Sequence, residues 1–463
     1  MQGNKGKGFS EGNVYLGKYR TMLKNKARFY FDVGEFEGII NYFLENGKIS
    51  EAENALNFAL KLHPDSVILQ LKNAHILIEK SKIDEAFKLL TKLKSIQSNE
   101  PEIYFLLGYV EVLKKNTENA NDYFSDFLKA GILNDDTLSS IAFVYEQQGY
   151  YTEALKYLQK AIKINPKNKY VLYDIAFCYE QISNLEKSAK YYGKYLEENP
   201  HSANAWYNLG VINNLAKKYN EAVEAYDFAI AVKPDFASAY FNKASILNNS
   251  GKTEEAISVY KDFLKIEKNN VPALTRTAEC CMRLERYEDA KLYFKKALKI
   301  DNNYPDALYG KALSAYFTDE YLEGLNLIMR AIKIDNKNVD YNFLKAQLFT
   351  QLGYIDKADE SYINTLKLDF SSEKIWLAYS DLYIDTDIKK ANDILKFAQK
   401  ALPENLSVIY TVALNHIVEG NYSEACNHLD QVFKEDVNYI SQLKSDCPNC
   451  NESPEIKLLI EKY

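Results

Sequence analysis

Small, large apolar and polar residues follow a pattern that returns every 34 residues along most of this chain. Its cleanest copy is 203–236, ANAWYNLGVINNLAKKYNEAVEAYDFAIAVKPDF. Numbered 1 to 34, it places Trp206 at position 4, Leu209 at 7, Gly210 at 8, Ala222 at 20, Tyr226 at 24, Ala229 at 27 and Pro234 at 32. Positions 4, 7, 8 and 11 lie on one helical stripe, which predicts a first amphipathic helix. A second helix carries positions 20, 24 and 27. Proline at position 32 ends it in five copies, at Pro64, Pro166, Pro200, Pro234 and Pro403. Position 20 is always small: Ala52, Ala86, Ala120, Ala154, Ser188, Ala222, Ala256, Ala290, Gly324, Ala358, Ala391 and Ala425. Position 8 is small in every copy but the first, where Ile40 stands. Small residues on both helices let the backbones approach, and large residues such as Tyr192, Tyr260 and Phe294 at position 24 fill the remaining gap.

One helix pair cannot bury its apolar face alone, so neighbouring pairs must stack. Ten gapless repeats run from Val33 to Ser372. An eleventh, Glu373 to Asn405, is one residue short around Asp385–Ile388, and a twelfth runs from Leu406 to Tyr439. The expected organisation is a basic N-terminal arm over 1–32 with a capping helix within Tyr15–Phe31, repeats over 33–439, and a C-terminal loop and capping helix over 440–463, the helix at Glu455–Tyr463.

The Trp-x2-Leu-Gly opening at Trp206–Gly210, the small residue at Ala222 and the closing Pro234 resemble the tetratricopeptide repeat (TPR) consensus closely. The resemblance covers 33–439. It implies an all-α fold, a TPR α-solenoid forming a right-handed superhelix of antiparallel helix pairs. It also implies a non-enzymatic scaffold or adaptor that binds extended peptide segments of other proteins in a concave groove. Helical geometry puts positions 2, 5, 6, 9, 12 and 13 on the side of the first helix facing away from the second, and in TPR proteins that side lines the groove. Position 6 reads Asp174, Asn208, Asn242, Arg276 in four consecutive repeats, and amides that donate and accept suit a peptide backbone. Position 5 contributes Phe105, Tyr173, Tyr207 and Phe241, and position 9 contributes Phe177. These rings either line the groove or pack against the first helix of the next repeat. Of the five residues in the carboxylate clamp of chaperone-binding TPR domains, only Asn242 and Arg276 are matched. A chaperone-tail receptor is therefore rejected, and Arg276 is kept as a carboxylate contact.

Composition narrows the partners. The net charge of −7 argues against nucleic acid, and no apolar run approaches the ~18 residues of a membrane span. The segment MQGNKGKGFS lacks the apolar core of a secretory signal, and six unevenly spaced cysteines make no disulfide framework, so a reducing cytoplasm is expected. The seven basic residues of 1–31 form either a solvated arm or a surface for an anionic partner. The five histidines sit in no nucleophile motif, and there is no phosphate-binding glycine loop. No cofactor is expected. Cys447-Pro-Asn-Cys450 matches half a zinc site, with Cys426 and His428 nearby but on different helix faces. A metal or redox role for Cys447 and Cys450, or a self-assembling solenoid, is the alternative. The oligomeric state is left open.

Overall fold

The computed structural model describes residues 15–24, 29–448 and 453–463. Among them there are helices and turns but no strand. The chain divides into two compact bodies, Met1–Lys233 and Pro234–Tyr463.

The first body opens with a helix at 15–24. Six antiparallel pairs follow, from Val33–Glu45 with Ile49–Leu62 to Ala203–Leu215 with Tyr219–Val232. The second body has six more, from Ala237–Asn249 with Thr253–Ile266 to Leu406–Val418 with Tyr422–Glu435. It closes with Asn438–Asp446 and Pro454–Glu461. First helices have 13 residues and second helices 14, apart from Glu373–Asp381, which has nine. The fold is an all-α solenoid of stacked helix pairs.

Local chemistry sets these boundaries. Asp32, Ser66, Asn134, Asn168, Asn270, Asn338 and Asn405 each cap the first helix of a pair, accepting from a backbone N–H of its first turn. Pro101 and Pro305 occupy first-turn positions where a missing N–H costs nothing. Between the two helices, position 15 adopts a left-handed backbone in eleven repeats. It is glycine in five, and Ser81, Lys115, Ser183, Lys217, Glu285 or Asp319 in the others. Six position-4 side chains donate to the carbonyl six residues earlier, as in Trp206 Nε1 to Pro200 O at 2.9 Å and Tyr240 Oη to Pro234 O at 3.2 Å. Position 4 therefore pins the inter-repeat loop as well as packing.

The close helix crossing is real. Ala52, Ala86, Ala120, Ala154, Ser188 and Ala222 are all fully buried. Ser188, the polar exception, donates Oγ to the carbonyl of Ala176 at position 8 of the facing helix, 2.9 Å away. At the N-terminal end, Leu16, Tyr19 and Met22 bury against Phe31, Phe36, Ile39 and Phe43. Of the stretch expected to hold the capping helix, 15–24 is helical, 25–28 lies outside the described residues and 29–31 is not helical, with Asp32 capping the next helix. At the C-terminal end, the stretch expected as a loop is helical from Asn438 to Asp446, because Ile440 and Leu443 find apolar cover on Phe433 and Ile456.

Candidate functional site

The nine residues read from the sequence as ligand contacts all lie on first helices of the pairs. Six fall in the first body and three in the second.

In the first body, position 5 faces the second helix of its own pair. Phe105 lies 6.0 Å from Phe124 and 5.3 Å from Phe127. Tyr173 lies 5.5 Å from Tyr192 and 5.3 Å from Tyr195. Tyr207 lies 5.7 Å from Tyr226. These rings are half-buried. Packing against the first helix of the next repeat occurs at Tyr309, whose ring is 5.3 Å from Tyr341. Phe177 meets the edge of Tyr151 at 5.9 Å. Asn208 links two repeats: its Nδ2 donates to the Tyr173 hydroxyl at 2.9 Å and to the Tyr192 hydroxyl at 3.3 Å. Tyr192 in turn donates to Glu180 at 3.0 Å. Both amide hydrogens of Asn208 are thus engaged, leaving its carbonyl as the group a ligand would meet.

Beside this link is a desolvated acidic pair. Burial pushes the Asp174 carboxyl up to about 6. Burial and then the Asp174 charge push Glu146 up to about 7. The Cys178 thiol donates to Glu146 at 3.3 Å. Loss of water holds these carboxyls as weak acids.

In the second body a cleft of about 380 Å³ opens between the first helices starting at Ala237, Val271 and Pro305. Phe241 and Arg276, both read from the sequence, line it. The Phe241 ring packs 5.6 Å from both Tyr260 and Phe263, and burial pushes the Tyr260 hydroxyl up to about 12. Arg276 is half-exposed and pairs with Glu279 at 2.7 Å. Asn242 is half-buried on the same helix as Phe241.

Two residues of this cleft were not singled out in the sequence. Asn248 is 8% exposed, and its Oδ1 has no hydrogen-bond partner. Arg283 donates Nη1 to the Asn248 backbone carbonyl at 3.3 Å. They occupy positions 12 and 13, on the outward side of the first helix, so scanning those columns for polar residues would have found them. An unpaired buried acceptor is costly. Arg276 and Arg283 line the same cleft, together with the carboxylates of Glu279 and Asp306.

Among the described residues no group of three or more His, Cys, Asp or Glu is placed to hold a metal. Cys450 lies outside the described residues. Cys447 and Cys426 pack half-buried on the terminal core, and His428 stacks on His416 at 5.8 Å. Cys178, Cys280 and Cys281 are buried, with thiols raised by burial. No described helix is long and apolar enough to cross a membrane.

Comparison with known proteins agrees with the repeat pattern. Tetratricopeptide repeat models match residues 203–236 and 145–209. A model for Iml2/tetratricopeptide repeat protein 39 matches 21–131, and one for the coatomer epsilon subunit matches 235–342. No curated protein matches the chain. Similar solved structures include YrrB, described as a TPR protein with an unusual peptide-binding site, at 25% identity and TM-score 0.30 over 40% of this chain and 95% of that one. A tetratricopeptide repeat protein from Parabacteroides merdae is 17% identical, with TM-score 0.41 over 53% and 98%. The Cut9–Hcn1 APC/C hetero-tetramer is 13% identical, with TM-score 0.39 over 88% and 93%. Helix pairs recurring at 34-residue spacing, and the repeat models that match along them, make this chain a member of the tetratricopeptide repeat family.

Proposed function

We propose that this chain is a non-enzymatic, cytoplasmic scaffold that holds extended peptide segments of other proteins on the outward side of its first helices. The observation that carries this reading is the Asn248 carbonyl, buried without a partner in a cleft that also presents Arg276 and Arg283. A peptide N–H satisfies Asn248, and a peptide carbonyl or acidic side chain accepts from the arginines. Phe241 and Tyr260 supply apolar area for a side chain between those polar contacts.

The test is selection of peptides from a random library on the wild-type protein, followed by affinity measurement on Asn248→Leu and Arg276→Ala/Arg283→Ala. At least a tenfold loss with unchanged helicity is expected. Selected peptides that bind all three proteins equally would remove the cleft from the reading.

A further inference from the structure

We propose that the opposite side of the solenoid carries a second docking surface, a lysine-edged groove between the second helices of the third and fourth pairs that takes an acidic amphipathic helix of a partner protein. The groove, about 710 Å³, lies between Thr117–Ala130 and Tyr151–Ile164.

It exists because the third repeat departs from its neighbours. Position 21, Phe87 and Leu155 in the two adjoining repeats, is Asn121 here, with the small Ser125 one turn on. Asn121 does not fill the space, because its Oδ1 is drawn inward to accept from the Tyr145 and Tyr157 hydroxyls at 2.9 and 2.8 Å. Position 32 is Ile132, 76% exposed, followed by Leu133 at 59%. The result is a trough over half-buried Leu128 and the buried Leu138 and Tyr157, flanked by the exposed Leu133 and Ile164.

Charge selects the occupant. Four lysines and no carboxylate line the groove, in a chain whose net charge is −7. Lys156, Lys160 and Lys163 follow i, i+4, i+7 spacing along one helix stripe, about 10 Å at 1.5 Å per residue. Lys163 has no ion-pair partner among the described residues, and Lys160 rests over the Tyr157 ring at 5.3 Å. Lys156 and Lys129 make only exposed pairs, with Glu153 and Asp126; such pairs are weak and exchange readily. A straight row of cations beside an apolar trough matches a helix that carries carboxylates at i, i+4, i+7 next to a leucine stripe. An extended chain, at about 3.3 Å per residue, would not keep that register.

The test uses the full chain and a fluorescein-labelled 18-residue helical peptide with leucines on one stripe and glutamates on the adjacent one. Anisotropy titrations compare it with the same peptide carrying glutamine for glutamate. The acidic peptide is expected to bind at least tenfold more tightly than the glutamine one and to weaken as salt rises. Lys156→Glu/Lys160→Glu/Lys163→Glu and, separately, Ser125→Leu, which fills the trough, should each cost tenfold while far-UV circular dichroism stays unchanged. Hydrogen exchange should slow in 117–164 on binding. Equal binding of the two peptides, full binding by either variant, or a trough that takes up dodecanoate and ignores the peptide would overturn the proposal. Protection confined to the first helices would also overturn it, and would leave the Asn248 cleft untouched.

Discussion

The Cβ that Gly210 lacks would sit 2.7 Å from the ring of Tyr226, closer than any real side-chain carbon approaches. Position 8 of the first helix and position 24 of the second are thus one packing unit. The same relationship joins Gly108 to Phe124 at 2.5 Å; Gly310, at position 6, makes a comparable close approach across repeats, 2.2 Å from the Phe294 ring of the preceding pair. Where position 8 is alanine, as at Ala244 opposite Tyr260, the ring is accommodated with both residues buried.

Gly210→Val should therefore overpack the crossing and cost about 1–3 kcal/mol, read as a lower urea midpoint with an unchanged slope. A midpoint equal to wild type would mean that the Tyr226 ring is free to move aside.

Lys115, Lys217 and Glu285 hold left-handed backbone that glycine takes without penalty at Gly47, Gly149 and Gly251. Lys217→Gly should stabilise, or at worst be neutral, with a gain of up to about 1 kcal/mol from relieved strain, offset by the wider freedom of glycine in the unfolded chain. Gly149→Val, in the reverse direction, should lower the thermal midpoint. Both are read by calorimetry.

Glu146 has a higher pKa folded, about 7, than its ordinary 4.5, so the folded chain holds this proton more tightly than the unfolded one. Its contribution is complete below about pH 4.5 and is lost as pH rises through about 7; Asp174, raised to about 6, adds in the same direction. Glu146→Gln removes the buried charge. It should raise stability at pH 8 by about 1–3 kcal/mol and have little effect at pH 4.5. Thermal melts of both proteins across that range check the sign.

His428 runs the other way. Burial and then the neighbouring His416 lower its pKa below the ordinary 6.5, so the unfolded chain takes up this proton more readily. Stability from His428 is present above about 6.5 and lost on acidification. His428→Phe should flatten the acid limb of unfolding monitored near the C-terminal pairs.

The helix pairs were legible in the sequence because packing leaves little choice. A crossing this close favours small residues at positions 8 and 20, and apart from Ile40 those columns persist through every surface change. The ligand face was less legible. Helical spacing gives the direction of a side chain around its own axis but not what stands there, so Tyr173 and Phe241, read as groove rings, lie against Tyr192 and Tyr260 of their own pairs. Asn208 looked like a free rung, yet its amide holds two tyrosine hydroxyls. Asn208→Ala should therefore cost about 1 kcal/mol of stability even without a ligand, measured by urea unfolding. Asn248 stands in an outward column, position 12, where its polar side chain is visible in the sequence, but that its Oδ1 has no partner is visible only in the structure.

The eleventh repeat shows what a deletion does to such a chain. Its missing residue is taken up where Glu373–Asp381 stops after nine residues and the chain turns over 382–386. Tyr383 and Lys390 then tie that turn to Asp359 of the preceding pair, at 2.6 and 2.9 Å. The next second helix, Ile388–Ala401, and the pair after it return to standard lengths. A phase error that would swing every later side chain by about 100° in an uninterrupted helix is erased within one turn. The inter-helix turn is the joint at which such an array can gain or lose residues, and so the natural place to splice in a tag or a foreign loop without retuning the stack on either side.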